Sequence, residues 1–212
     1  MLFLFPLGSD SVKKIFIEKS ISLIKARKEL NTIEEKKMRY GLEAFYNLIT
    51  KTIVLFVLAI LFDLILELLV LTFIYSTLRL YGFGLHAKTS LQCWFTTLPV
   101  YLGGCLLIKY IAIPEFIAGA IWIFGFSSFL LFAPADTPAR PLIHKEKRIR
   151  AKILSMSILL AYLFIYLYNF SAILNNAILY ALLMESVVIN PLIYKLTGTT
   201  FNNYKYFQKN TV

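Results

Sequence analysis

His86 and Cys93, one of two histidines and one of two cysteines in the chain, lie seven residues apart in the segment 79–93. A cysteine attacks a carbonyl as its thiolate, and a nearby imidazole serves as base and then as acid. On one continuous helix, positions seven apart share a face but are separated by about 10.5 Å of rise, too far for hydrogen bonding. The segment is therefore expected not to be helical throughout. Gly82 and Gly84 permit a loop with unusual backbone angles. Thr89 or Ser90 can cap a helix that starts after them. Cys93 then falls in or next to the first turn, where backbone N–H groups and the helix dipole favour a thiolate and can help hold an oxyanion. His86 folds back from the loop beside it. The bland alternative is a small apolar filler and an interfacial polar anchor. Two such residues together in a glycine-rich polar break favour the dyad. Cys105 follows Gly103-Gly104 deep in an apolar run and reads as packing; His144 reads as a solvated loop residue.

A second segment, 132–142, holds three prolines and is expected to be stiff and irregular. Its Asp136 either orients the imidazole as a third member of a triad or caps a turn or pairs with Arg140. Arg79 either snorkels to head groups or binds a substrate carboxylate. Whether Asp136, Gln92 or a backbone group completes the site stays open at this level.

These residues need elements to position them, and composition indicates which. Of 212 residues 58% are hydrophobic and 16% charged, against about 45–50% and 25% in soluble domains; mean hydropathy is +0.70. The net charge is +10, from 22 Lys and Arg against 12 Asp and Glu. Hydropathy of this order excludes a soluble or disordered chain, and nucleic-acid binding explains the charge but not the hydropathy. An all-α integral membrane protein with about six transmembrane helices is expected. The spans lie near 44–62, 64–81, 91–113, 116–132, 153–170 and 172–189. Asp63 and Glu67, costly at a bilayer centre, favour a hairpin turning at Asp63 over one long tilted span across 48–80. Residues 1–51 carry ten Lys and Arg, 133–152 carry six and the tail after 190 three. The positive-inside rule then puts both termini, the 81–92 connection and the basic loop 133–152 in the cytoplasm.

Residues 1–43 form a cytoplasmic amphipathic helical segment, 44–190 the membrane domain and 191–212 a cytoplasmic tail. Val12, Ile15, Phe16, Lys19 and Leu23 share a helical face, so this helix either lies on the leaflet or packs in a small cytoplasmic cap. Two cysteines and two histidines are too few for a disulfide scaffold or zinc cluster, and no metal or cofactor is expected.

Arg79, Gly84-Leu85-His86-Ala87 and Cys93, followed by Ala133 to Thr137 and then Pro141-Leu142, resemble the accessory gene regulator B (AgrB) family, and the resemblance extends over nearly the whole chain. Family members often carry two adjacent glycines before the histidine; here Phe83 separates Gly82 from Gly84. The resemblance implies a membrane cysteine endopeptidase of Gram-positive quorum sensing. Its substrate is a small amphipathic AgrD-like propeptide, cleaved to an acyl-enzyme and closed into a thiolactone or lactone. Cys93 is then the nucleophile and His86 its base and acid. It also implies a homodimer in the bacterial cell membrane; the topology puts the active site at the cytoplasmic side, and no nucleic-acid partner is expected. A small membrane exporter of a peptide or lipid, without covalent catalysis, is the alternative reading.

Overall fold

A computed structural model describes residues 5–27, 31–85, 89–138 and 141–205. These form eight helices: α1 (Phe5–Lys25), α2 (Thr32–Leu61), α3 (Ile65–Gly82), α4 (Ser90–Tyr110), α5 (Glu115–Phe132), α6 (Lys145–Tyr168), α7 (Ala172–Val188) and α8 (Pro191–Leu196). Among the described residues there is no strand; Phe83 and Ala135 form an isolated parallel bridge. Four helices, α2, α3, α5 and α6, are long and apolar enough to cross a membrane, and α7 is a shorter apolar helix of 17 residues.

α2 starts in a capping box. The Asn31 side chain accepts from the Ile33 and Glu34 N–H groups at 3.0 and 2.8 Å, and Glu34 reaches back to the Asn31 N–H at 3.1 Å. From there it runs unbroken for 30 residues, about 45 Å, with no helix break near 43. Its first turns pair with α1 in an antiparallel hairpin. Ion pairs join Lys13 to Glu43, Glu18 to Arg39 and Lys25 to Glu35. The Arg39 guanidinium holds the Glu18 carboxyl below its ordinary range. α1 packs through Ile17 and Ile21, which are buried, whereas Val12, Ile15 and Leu23 of the anticipated face are exposed. The helix carries two apolar stripes, and α2 covers only one of them.

α2 and α3 are separate helices. Asp63 adopts a left-handed conformation (φ 54°), the Leu64 N–H reaches Ala59 O at 2.7 Å and the Asp63 N–H reaches Ile60 O at 3.2 Å. This is a Schellman turn with aspartate where glycine is usual. The Asp63 carboxylate is 2.8 Å from Lys109 Nζ, which holds it below the usual carboxylate range. Of the two acids that argued against one long span, Asp63 sits at the turn and Glu67 is buried in the first turn of α3.

α3 and α7 form the centre of the bundle. Leu64, Leu68, Leu71, Ile74 and Leu78 repeat at three- and four-residue intervals on α3 and are all buried, as are Ala177, Ile178, Ala181 and Leu182 on α7. Small residues let the helices approach closely. A Cβ on Gly104 would lie 2.3 Å from Tyr180 Cε1, while Gly103 faces open space. Tyr180 also donates to Val100 O at 2.8 Å, which pins its ring there. Gly104→Ala is therefore expected to destabilise by about 1–3 kcal/mol, the usual range for overpacking. Gly103→Ala should be nearly neutral, and thermal unfolding of the two variants in one detergent compares them. The outer faces of α2, α5 and α6 expose Ile53, Val57, Phe116, Ile123, Leu130, Leu160 and Phe164, a distribution suited to lipid rather than water.

Candidate active site

α3 ends just before the candidate dyad, and α4 begins just after its histidine. Phe83 (φ 64°) and Gly84 (φ 94°) turn the chain out of α3. The loop is then held by backbone bonds to 133–137. Gly84 N–H donates to Ala135 O at 2.8 Å, and Ala135 N–H donates to Gly82 O at 2.9 Å. The buried Tyr194 of α8 donates its hydroxyl to the same Ala135 oxygen at 3.1 Å. Leu85 N–H reaches Val188 O, at the end of α7, at 3.4 Å. The two sequence segments singled out for chemistry therefore meet, joined through backbone.

Arg79, in the last turn of α3, lies beneath this loop. One guanidinium nitrogen donates to Glu185 Oε2 of α7 at 3.2 Å, and the other donates to the carbonyl of Leu85. Glu185 is fully buried. A Cβ on Gly84 would stand 2.9 Å from Arg79 Nη1 and 3.0 Å from Val188 Cγ1. With its positive φ, this position admits glycine on two grounds. In this structure the Arg79 side chain turns inward to an acid of its own chain. Sequence reasoning missed Glu185, although a signal exists: it is the single charged residue between 172 and 189, and a charge in an apolar span requires a partner.

His86, Ala87 and Lys88 lie outside the described residues, as does Arg140. The chain resumes at Thr89, whose hydroxyl accepts from Gln92 N–H at 3.2 Å and caps α4. Cys93 N–H closes the first helical bond, to Thr89 O, at 3.0 Å. The half-buried Cys93 thiol sits in this opening turn, 3.7 Å from Thr97 Oγ1. The neighbouring Trp94 ring lies 6.0 Å from Nζ of Lys51, an α2 lysine that is largely buried. Gln92 is exposed. Cys105 is completely buried in the core, and His144 is exposed at the start of α6.

Asp136 is buried and its carboxylate is well supplied with donors. Oδ1 accepts from Asn203 N–H at 2.8 Å; Oδ2 accepts from Tyr204 N–H at 2.9 Å and Leu142 N–H at 3.3 Å. It ties the C-terminal segment to the loop 133–142. Arg148 stacks on the Tyr204 ring at 3.9 Å, and Phe201 packs edge-on to Phe132 and Tyr194. Asp136→Ala should strand these N–H groups and free the tail. Limited proteolysis should then cut near 200–205 much faster than in the parent chain. Lys152 of α6 closes a helix end: it donates to the carbonyls of Phe129, Leu130 and Ala133 at the C-terminus of α5.

The arrangement offers a thiol at a helix start and a braced loop ending one residue before a histidine. Among the described residues no group of acids, histidines and cysteines could hold a metal. Residues 17–189 match the sequence model of the family described as Accessory gene regulator B. The chain is 28% identical over 204 residues to an AgrB-like protein of Clostridium acetobutylicum, covering 95% of this chain and 97% of the relative. It is 31% identical over 172 residues to one from Listeria innocua, covering 81% and 84%. With one from Clostridium perfringens it shares 33% over 167 residues, 74% of each. No solved structure matches. With a family match over most of its length and a half-buried cysteine opening α4, the chain belongs to the accessory gene regulator B family.

Proposed function

We propose that this chain is a membrane-embedded cysteine endopeptidase that processes a small AgrD-like propeptide for quorum sensing. Cys93 is the nucleophile and His86 its base and acid. The observation that carries the reading is the fixed frame on both sides of the histidine. The Leu85 carbonyl is held by Arg79, the Thr89 cap starts α4, and only residues 86–88 lie between them. Membership of a family associated with AgrD processing supports the substrate class.

The chemistry follows from these positions. His86 takes the Cys93 proton, and the thiolate attacks the scissile carbonyl near the N-terminus of α4. As the tetrahedral intermediate collapses, the C–N bond breaks and the imidazolium returns the proton to the leaving amine, leaving a thioester on Cys93. An internal cysteine or serine of the peptide then displaces the enzyme thiol and closes a thiolactone or lactone. Thiol-to-thiol exchange changes the free energy little, so excluding water from the thioester matters. In this proposal six helices, α2 to α7, cross the bilayer with both termini cytoplasmic, and the site faces that side, where an amphipathic propeptide would concentrate.

The test is direct detection of the acyl-enzyme. Purified protein in vesicles, mixed with a synthetic propeptide lacking its internal nucleophile, should gain the mass of the N-terminal fragment on Cys93. Neutral hydroxylamine should remove it. Cleavage without any adduct on Cys93 would reject the mechanism.

A further inference from the structure

We propose that Glu185 is a positioning residue for the dyad: through Arg79 it holds the Leu85 carbonyl, and with it the backbone that leads into His86. The inference rests on the His86–Cys93 reading given above. It is carried by the way α7 grips the loop at two points. Glu185 Oε2 takes one end of the guanidinium at 3.2 Å, and the other end donates to Leu85 O. One turn on, Val188 O accepts from Leu85 N–H at 3.4 Å. Both polar groups of the residue preceding His86 are therefore fixed, directly or through Arg79, by α7.

The loop has little room to move. A Cβ on Gly82 would come within 2.8 Å of Glu185 Oε1, and one on Gly84 within 2.9 Å of Arg79 Nη1. The Tyr75 ring, 5.9 Å from the guanidinium carbon, flanks the same pair. Glu185 is wholly buried, whereas the Arg79 side chain is 19% exposed. Without its carboxylate partner the guanidinium can therefore swing toward solvent and release Leu85. The acid cannot follow it, so Glu185 is the fixed post and Arg79 the arm.

Thiol reactivity tests this without any peptide. A Cys105→Ala chain in lipid nanodiscs, with Cys93 its one thiol, is alkylated with iodoacetamide across a pH series. His86→Ala should raise the midpoint of the rate profile, and Glu185→Gln should do the same. Each should slow alkylation at neutral pH about tenfold, the loss expected when the base beside a thiol is removed or misplaced. At high pH, where the thiol is ionised in every variant, the rates should converge to within about threefold. Added to His86→Ala, Glu185→Gln should cost less than a further twofold. A parental midpoint in Glu185→Gln, beside a shifted one in His86→Ala, overturns the positioning role and leaves the dyad intact. Multiplying effects in the double variant also overturn it. An unmoved midpoint in His86→Ala removes the dyad itself. Should Glu185→Gln fail to fold, Arg79→Met combined with Glu185→Leu replaces the pair by apolar groups of similar size. The same shift is expected, and a parental midpoint refutes the proposal.

Discussion

Cys93→Ala should abolish propeptide cleavage, and His86→Ala should reduce it by several orders of magnitude, while Cys105→Ala leaves it within about twofold. The contrast tests position rather than residue type, because both cysteines lie on α4, twelve residues apart. Cys93 is half-buried in the first turn after the Thr89 cap; Cys105 has no exposed surface. A nucleophile must reach substrate and ionise, and an enclosed thiol in an apolar core does neither well. General acid–base catalysis alone contributes about 10²–10⁴-fold, and loss of the nucleophile removes the covalent route altogether. Cys93→Ser is the informative intermediate. It keeps the shape but replaces a readily ionised thiol with a hydroxyl, so it should be nearly as inactive as alanine. The measurement is the appearance of the cleaved fragment by mass spectrometry after co-expression with the propeptide. Normal cleavage by Cys93→Ala would exclude the proposed role.

The second large effect is on stability. Removing Arg79 strands a fully buried carboxylate, and breaking a buried ion pair from one side typically costs about 3–5 kcal/mol. Removing Glu185 instead leaves a guanidinium that is 19% exposed and can turn to water. Arg79→Ala should therefore lower the thermal midpoint in detergent more than Glu185→Gln does. Replacing both partners with apolar residues should cost less than Arg79→Ala, since no charge is left without a partner. Equal losses in Arg79→Ala and Glu185→Gln would mean that the asymmetry of burial has no energetic weight. The experiment also separates two roles of the pair. The double apolar variant should restore much of the stability without restoring the hold on the loop before His86.

The local consequences of residue type are legible in the amino-acid sequence. Hydropathy marks the apolar helices, and Asp63 marks the break between α2 and α3, because an acid in mid-span is costly and tolerable at a turn. Gly82 and Gly84 announce the exit from α3. Thr89 is one of two candidate caps for α4, which puts Cys93 in its first turn. Cys105, without a polar neighbour in sequence, reads as packing and is enclosed.

The pairings between elements distant in sequence need the tertiary structure. Arg79 meets Glu185 across 106 residues, and Asp136 meets Asn203 across 67. No local pattern selects those partners, because a buried charge demands only some partner and several arrangements would satisfy it. The choice is made when α3 packs against α7 and the C-terminal segment folds back over 133–142. The same holds for α1, whose two apolar stripes are equivalent until α2 covers Ile17 and Ile21. Which residues can do chemistry, and the break between α2 and α3 at Asp63, follow from side-chain type and near neighbours, whereas the starts of α2 at Thr32 and α6 at Lys145 lie well before the apolar runs that mark them. The tertiary structure alone decided which charge anchors the loop before His86, since that depends on which helices pack together.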